Sequence, residues 1–171
     1  MSSSRFLAAA LLATVSFAAT AADFNLNGGS VHFTAPSDWP VIMQMTEGNP
    51  QVVAFQVKDP AAEGTDESSR VSVTSRKLDD AVAYQAMVRT ASDKAKQQTG
   101  YEQDKDTGDV GSLRYTATEG KARYHYREHF YFHEGVGISL RCARPMLDKT
   151  SKSWVADFEK GCDQIAESLA K

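Results

Sequence analysis

With 171 residues, 42% of them hydrophobic and 24% charged, and a formal net charge of −3, the chain has the size and balance of one globular domain with a real core. That excludes a disordered chain, and the lack of a clustered basic stretch excludes nucleic acid as a partner. The two cysteines are too few for a zinc site of their own and form no Cys-x-x-Cys motif.

The first 21 residues read as a leader rather than as fold. Arg5 supplies a positive charge, Phe6 to Ala19 is an uncharged apolar run, and Ala19-Thr20-Ala21 is a small-x-small cleavage site. The run is too short for a spanning helix, and no cysteine follows it to carry a lipid. The expectation is a signal peptide over 1–21, a single mature domain over 22–171, periplasmic or secreted, and no stable membrane anchor after cleavage. Losing the leader removes Arg5 alone, so the mature chain is one charge more acidic.

In chain order, Asp23 to Gly29 is polar and ends in a turn signal. Val31, Phe33 and Ala35 then alternate with polar residues as a strand, broken at Pro36-Ser37-Asp38-Trp39-Pro40. Trp39, between two prolines, is expected to plug one end of the core. Val41–Met45, Gln51–Val57 and Arg70–Arg76 read as further strands, with a polar surface loop from Asp59 to Ser69 between the last two. The period then changes. Asp79 or Asp80 caps a helix whose stripe is Tyr84, Met87, Val88, Ala91 and Ala95, stopped by Gly100.

Asp104 to Asp109 resembles the start of a calcium loop, but Gly108, Asp109 and Tyr115 stand where such a loop needs Asp or Asn, Gly and Glu. A solvated acidic turn is expected. Gly111–Thr118 and Ala122–His133 read as two more strands. In the second, Tyr124, Tyr126, Phe130 and Phe132 share one parity and are expected on the core side. Arg123, His125, Arg127, His129, Tyr131 and His133 share the other. Glu128 falls on the apolar parity, so it needs a bulge or a partner.

The chain closes with a strand from Val136 to Cys142, a connection from Ala143 to Lys149, and a helix capped by Thr150 or Ser151. Trp154, Val155, Phe158, Cys162, Ile165, Ala166 and Leu169 form its apolar stripe. Cys142 and Cys162 fall one on each buried face, so in an oxidising compartment they are expected to form a structural disulfide. The fold class expected is α+β: a mainly antiparallel sheet of about six or seven strands in the order ββββ-α-βββ-α, with helices on one or both faces.

At this point the layout resembles a known family. Phe33-x-x-Pro36-x-x-Trp39 near the start, a middle helix, late hairpin strands and a closing helix are similar to the PsbP-like superfamily. That group includes photosystem accessory proteins, a yeast nuclear-transport factor that binds a small GTPase, and bacterial periplasmic proteins similar to DcrB. The resemblance covers most of the mature chain. It implies a binding or accessory module and carries over no catalytic residues.

No catalytic, cofactor or metal motif stands out: there is no Gly-x-Ser-x-Gly, no His-Glu-x-x-His and no glycine-rich phosphate loop. His125 and His129 are about 13 Å apart on a strand and cannot share one ion unaided. The row Arg123, His125, Arg127, His129 and Tyr131 is instead the candidate partner-binding face, a polar outer face about 26 Å long. Its partner would be another protein or an acidic ligand. The function expected is an exported, non-catalytic binding or accessory protein, of adaptor or immunity type. The alternative is a small periplasmic hydrolase whose site is assembled from separate strands.

Overall fold

The computed structural model describes residues 21–105 and 111–171. Residues 1–20, all of the expected signal peptide except Ala21, and residues 106–110 of the stretch expected as an acidic turn lie outside them. Alternating Val31, Phe33 and Ala35, each 2% exposed or less, form β2 (Val31–Pro36), which pairs antiparallel with β1 (Ala21–Leu26). β3 (Val41–Met45), β4 (Gln51–Val57) and β5 (Ser69–Lys77) follow, then α1 (Ala81–Lys96). After it come β6 (Glu102–Gln103), β7 (Ser112–Glu119), β8 (Ala122–His133), β9 (Val136–Pro145) and α2 (Lys152–Leu169). β3 to β9 make one seven-stranded antiparallel sheet in the order β3-β4-β5-β9-β8-β7-β6.

The α+β class and the element order are as expected, with three differences. The polar opening stretch is a strand, because β2 offers it a full ladder from Ala21–Pro36 to Leu26–Val31. The two-residue β6 pairs with β7. β9 also runs on to Pro145, since Ala143 and Pro145 pair with Tyr126 and Tyr124 of β8. Both helix starts are capped as read: the Asp80 carboxylate accepts from the Ala83 amide, and the Ser151 hydroxyl accepts from the Trp154 amide.

The main core lies on one sheet face. Val53, Phe55, Val71, Val73, Ile138, Leu140 and Cys142 point into it, covered by the β1–β2 hairpin and by Phe158, Cys162, Ile165 and Leu169 of α2. Trp39 is the expected plug. It stacks on Phe158 at 5.9 Å and meets Phe55 edge-on at 6.4 Å. Gly161, a residue that costs about 1 kcal/mol inside a helix, is needed there: a Cβ would stand 2.3 Å from the Trp39 ring. The expected disulfide joins Cys142 of β9 to Cys162 of α2, with a Cα separation of 6.5 Å. The loop expected to run over the surface is anchored at both ends, since Asp59 and Ser69 are buried. Asp59 accepts from the Ala61 amide and from the Thr150 hydroxyl at 2.6 Å.

The second face carries a smaller core of Tyr115, Ala117, Tyr124, Tyr126 and Ala143 with Ala95 of α1. At the other end of that face Tyr84 of α1 stacks on Phe132 at 5.2 Å. Met87 and the nearby Leu78 close over Gly137, where a Cβ would collide with the Leu78 side chain at 2.5 Å.

Candidate functional site

The polar row of β8 does not face solvent as a unit. Arg127 stands opposite Cys142 in the ladder, so both point to the main-core face, and the disulfide ties α2 down beside them. Glu159 and Asp163, four residues apart on one side of α2, then clasp the guanidinium. Arg127 donates to Glu159 at 2.6 Å and to Asp163 at 2.5 Å and is 6% exposed. Burial works against its charge, but those two bonds outweigh it and raise its pKa further. Arg144 joins the same Glu159 at 3.3 Å.

His125 lies between Asp104, at 3.1 Å, and Glu159, at 3.7 Å. His129 stacks on Tyr131 at 6.4 Å. The Tyr131 hydroxyl donates to the Ala166 carbonyl at 3.1 Å, and burial pushes its pKa up to about 12. Arg123, at the rim, donates to Glu102 at 2.6 Å. The expectation of a solvated face is therefore corrected: α2 covers the middle of the row and uses it as an internal ion-pair seam. The signal for this was in the sequence. Two carboxylates at i and i+4 flank the buried cysteine on the helix that this strand face must meet.

The tyrosines expected on the core side occupy the second face. Tyr115 stacks on Tyr126 at 4.8 Å, and Tyr126 on Tyr124 at 6.0 Å. Each hydroxyl donates to a carboxylate: Tyr115 to Glu128 and Tyr126 to Glu119, both at 2.8 Å, and Tyr124 to Glu67 at 2.6 Å. Glu128 thus finds its partner without a bulge, and Arg141 adds a contact at 3.4 Å. Arg141 also lies over the Tyr126 ring at 4.7 Å, and Arg70 donates to Glu119.

Burial first, then the carboxylate partner, raises the Tyr124 pKa to about 12 and that of Tyr126 well above the ordinary 10. Burial and the Glu128 charge do the same for Tyr115. A phenol raised in the folded state contributes fully below the unfolded value near 10 and loses that contribution as the pH rises through the folded value. Urea midpoints should therefore hold level from pH 8 to about 10 and fall above it, with a shallower fall in Tyr124→Phe. A midpoint that stays flat to pH 11.5 contradicts the assignment.

Beyond the tyrosines, the second face opens into a trough. Its floor is made of small side chains that three neighbouring strands bring side by side. Ala54 stands opposite Ser72, and Ser72 opposite Arg141. One pair further along, Val52 faces Thr74, which faces Ser139, and Gly137 faces Arg76. Two hollows follow this floor. One, of about 350 Å³, is lined by Ile42, Ala54, Arg70, Ser72, Tyr126 and Arg141 among others. The other, of about 420 Å³, runs between Thr74, Arg76 and Ser139 and the Met87–Lys94 side of α1.

The outer wall is β3, the sheet's edge. Ile42, Met43 and Met45 are 53%, 50% and 45% exposed, and the strand carries no charge. Edge strands are ordinarily protected by charges, prolines or covering segments. Here the strand itself carries a bulge between Val41 and Met43 and follows directly on Pro40. A larger hollow, about 640 Å³, lies near the end of α2. The histidine of its β2 wall, His32, is exposed and paired with Asp23 at 3.1 Å. Among the described residues no group of three or more His, Cys, Asp and Glu side chains is placed to hold a metal ion.

Comparison with known proteins gives a fold. No protein-family model matches the sequence, and no curated protein sequence does. The solution structure of the cyanobacterial PsbP of Synechocystis, CyanoP, matches with a TM-score of 0.51. The match covers 92% of this chain and 96% of that one at 14% identity. LpqN of Mycobacterium tuberculosis, described as involved in cell envelope biogenesis, reaches 0.49 at 12% identity over 86% of this chain and 88% of its own. PA94 of Pseudomonas aeruginosa, a protein of unknown function, also reaches 0.49, at 13% identity over 87% and 95%. The chain has a PsbP-like fold.

Proposed function

We propose that the protein is an exported, non-catalytic binding or accessory protein and that its working surface is the trough on the second sheet face, walled by β3. One observation carries this reading: an uncharged edge strand with three large apolar side chains about half exposed borders a half-buried, small-residue sheet floor. Contiguous exposed apolar surface beside polar groups is the ordinary mark of a protein-interaction site. Export is supported by the leader-like 1–21 and by a disulfide buried between sheet and helix.

Ile42→Asp with Met43→Asp tests the surface. Both side chains are about half exposed, and charge on an edge strand is well tolerated, so the melting temperature should stay close to the parent's. Immobilised and exposed to periplasmic extract, this variant of the mature protein should lose at least ten-fold of the specific retention the parent shows. Equal retention by parent and variant contradicts the proposal.

A further inference from the structure

We infer that the trough takes an acidic, amphipathic peptide segment of a protein partner, one with apolar residues in its middle and carboxylates toward both ends. This deepens the proposed function and rests on the trough being the working surface. The first argument is the sign of its lining. Arg70 and Arg141 stand at one end and Arg76 and Lys94 at the other, against one acid, Glu119. That excess lies in a chain whose net charge is −3, so it is a local feature of this surface.

The cations also have donors to spare. Arg70 engages Glu119 through Nη2, and Arg141 meets Glu128 through Nε, each side chain staying a little over 40% exposed. Arg76 and Lys94 have no ion-pair partner among the described residues. Free guanidinium N–H groups beside a half-enclosed hollow suit a carboxylate.

The walls set the rest of the chemistry. Ile42, Met43 and Met45 on one side and Ala83, Ala86 and Met87 on the other call for apolar side chains between the charged ends. Ser72, Thr74 and Ser139 line the floor, where their hydroxyls can meet peptide carbonyls. An acyl chain laid over them would leave those hydroxyls without partners, which favours a peptide over a lipid. Arg70 and Arg76 are six positions apart on β5, about 20 Å along the strand. That length takes about six extended residues or three to four helical turns.

The test uses fluorescein-labelled nine-residue peptides with valine, leucine and threonine at the centre and two glutamates, or two lysines, at each end. Anisotropy with the mature protein at low salt should show the glutamate peptide binding at least ten-fold more tightly than the lysine peptide. That preference should shrink to less than three-fold in Arg76→Gln with Lys94→Gln, two exposed residues whose loss leaves the fold intact, and in Arg70→Gln with Arg141→Gln. Equal affinity for the two peptides overturns the inference. So does tighter binding to phosphatidylglycerol vesicles through the same four residues, which would make the ligand a lipid surface. The two levels fail separately. If Ile42→Asp with Met43→Asp abolishes retention from extract while both charge variants leave it unchanged, the surface stands and the acidic occupant is wrong. If the edge-strand variant has no effect, the surface itself is wrong.

Discussion

Replacing Arg127 with alanine is expected to destabilise the protein by about 3 kcal/mol, the low end of the range for breaking a buried ion pair from one side. The low end applies because the two carboxylates are unequal: Glu159 is 24% exposed, while Asp163, at 52%, can turn to water. The cost arises from what is left behind. Glu159 would keep Arg144 at 3.3 Å but lose its shortest partner, under a helix fixed in place by the disulfide. Arg123→Ala is the control. Its bond to Glu102 joins side chains 40% and 77% exposed, and such pairs contribute between about 0 and 1 kcal/mol. Urea denaturation of the two variants should separate them clearly. Equal midpoints would mean that α2 does not clasp Arg127 in solution. Arg127→Met with Asp163→Asn, which removes the guanidinium and one carboxylate and leaves Glu159 paired with Arg144, should be milder than Arg127→Ala.

Removing the Cys142–Cys162 bridge should cost a similar amount. Its ends are 20 residues apart, and a loop of that size corresponds to about 3 kcal/mol in the chain-entropy account, within a range of about 2–5 for bridges lost from small exported domains. Cys142 and Cys162 are 1% and 0% exposed, so alanine rather than serine at both positions avoids burying unpaired hydroxyls. The double variant should melt several degrees lower and free α2 from β9. Alkylation of the unreduced, denatured parent should label no thiol. An unchanged melting temperature, or two labelled thiols, contradicts the bridge.

Much of the fold was legible because its elements obey simple periods. β2, β4 and β5 alternate apolar with polar residues, both helices carry a stripe, and Asp80 and Ser151 cap as their chemistry suggests. β1 was not, because Asp23 and Asn25 leave little apolar content and the strand is held by its ladder to β2. The polar parity of β8 departs from the sequence pattern for a physical reason. Alternation ordinarily means one wet side, but this strand is covered on both. The partners that let Arg127 be buried lie 32 and 36 positions away, on a different element. The trough had no sequence signature at all. Ala54, Ser72 and Ser139 are unremarkable separately and become a floor because β9 returns to pair with β5, placing three strands side by side.

The most direct test of the proposed working surface is hydrogen–deuterium exchange of residues 22–171, alone and with the partner retained from periplasmic extract. The account predicts new protection concentrated in β3, in Ser69–Lys77 and in α1 around Met87 to Lys94, with α2 and the Arg127 side of β8 unchanged. Protection confined to α2 and the rim at Arg123 and His125, with none at β3, would contradict it.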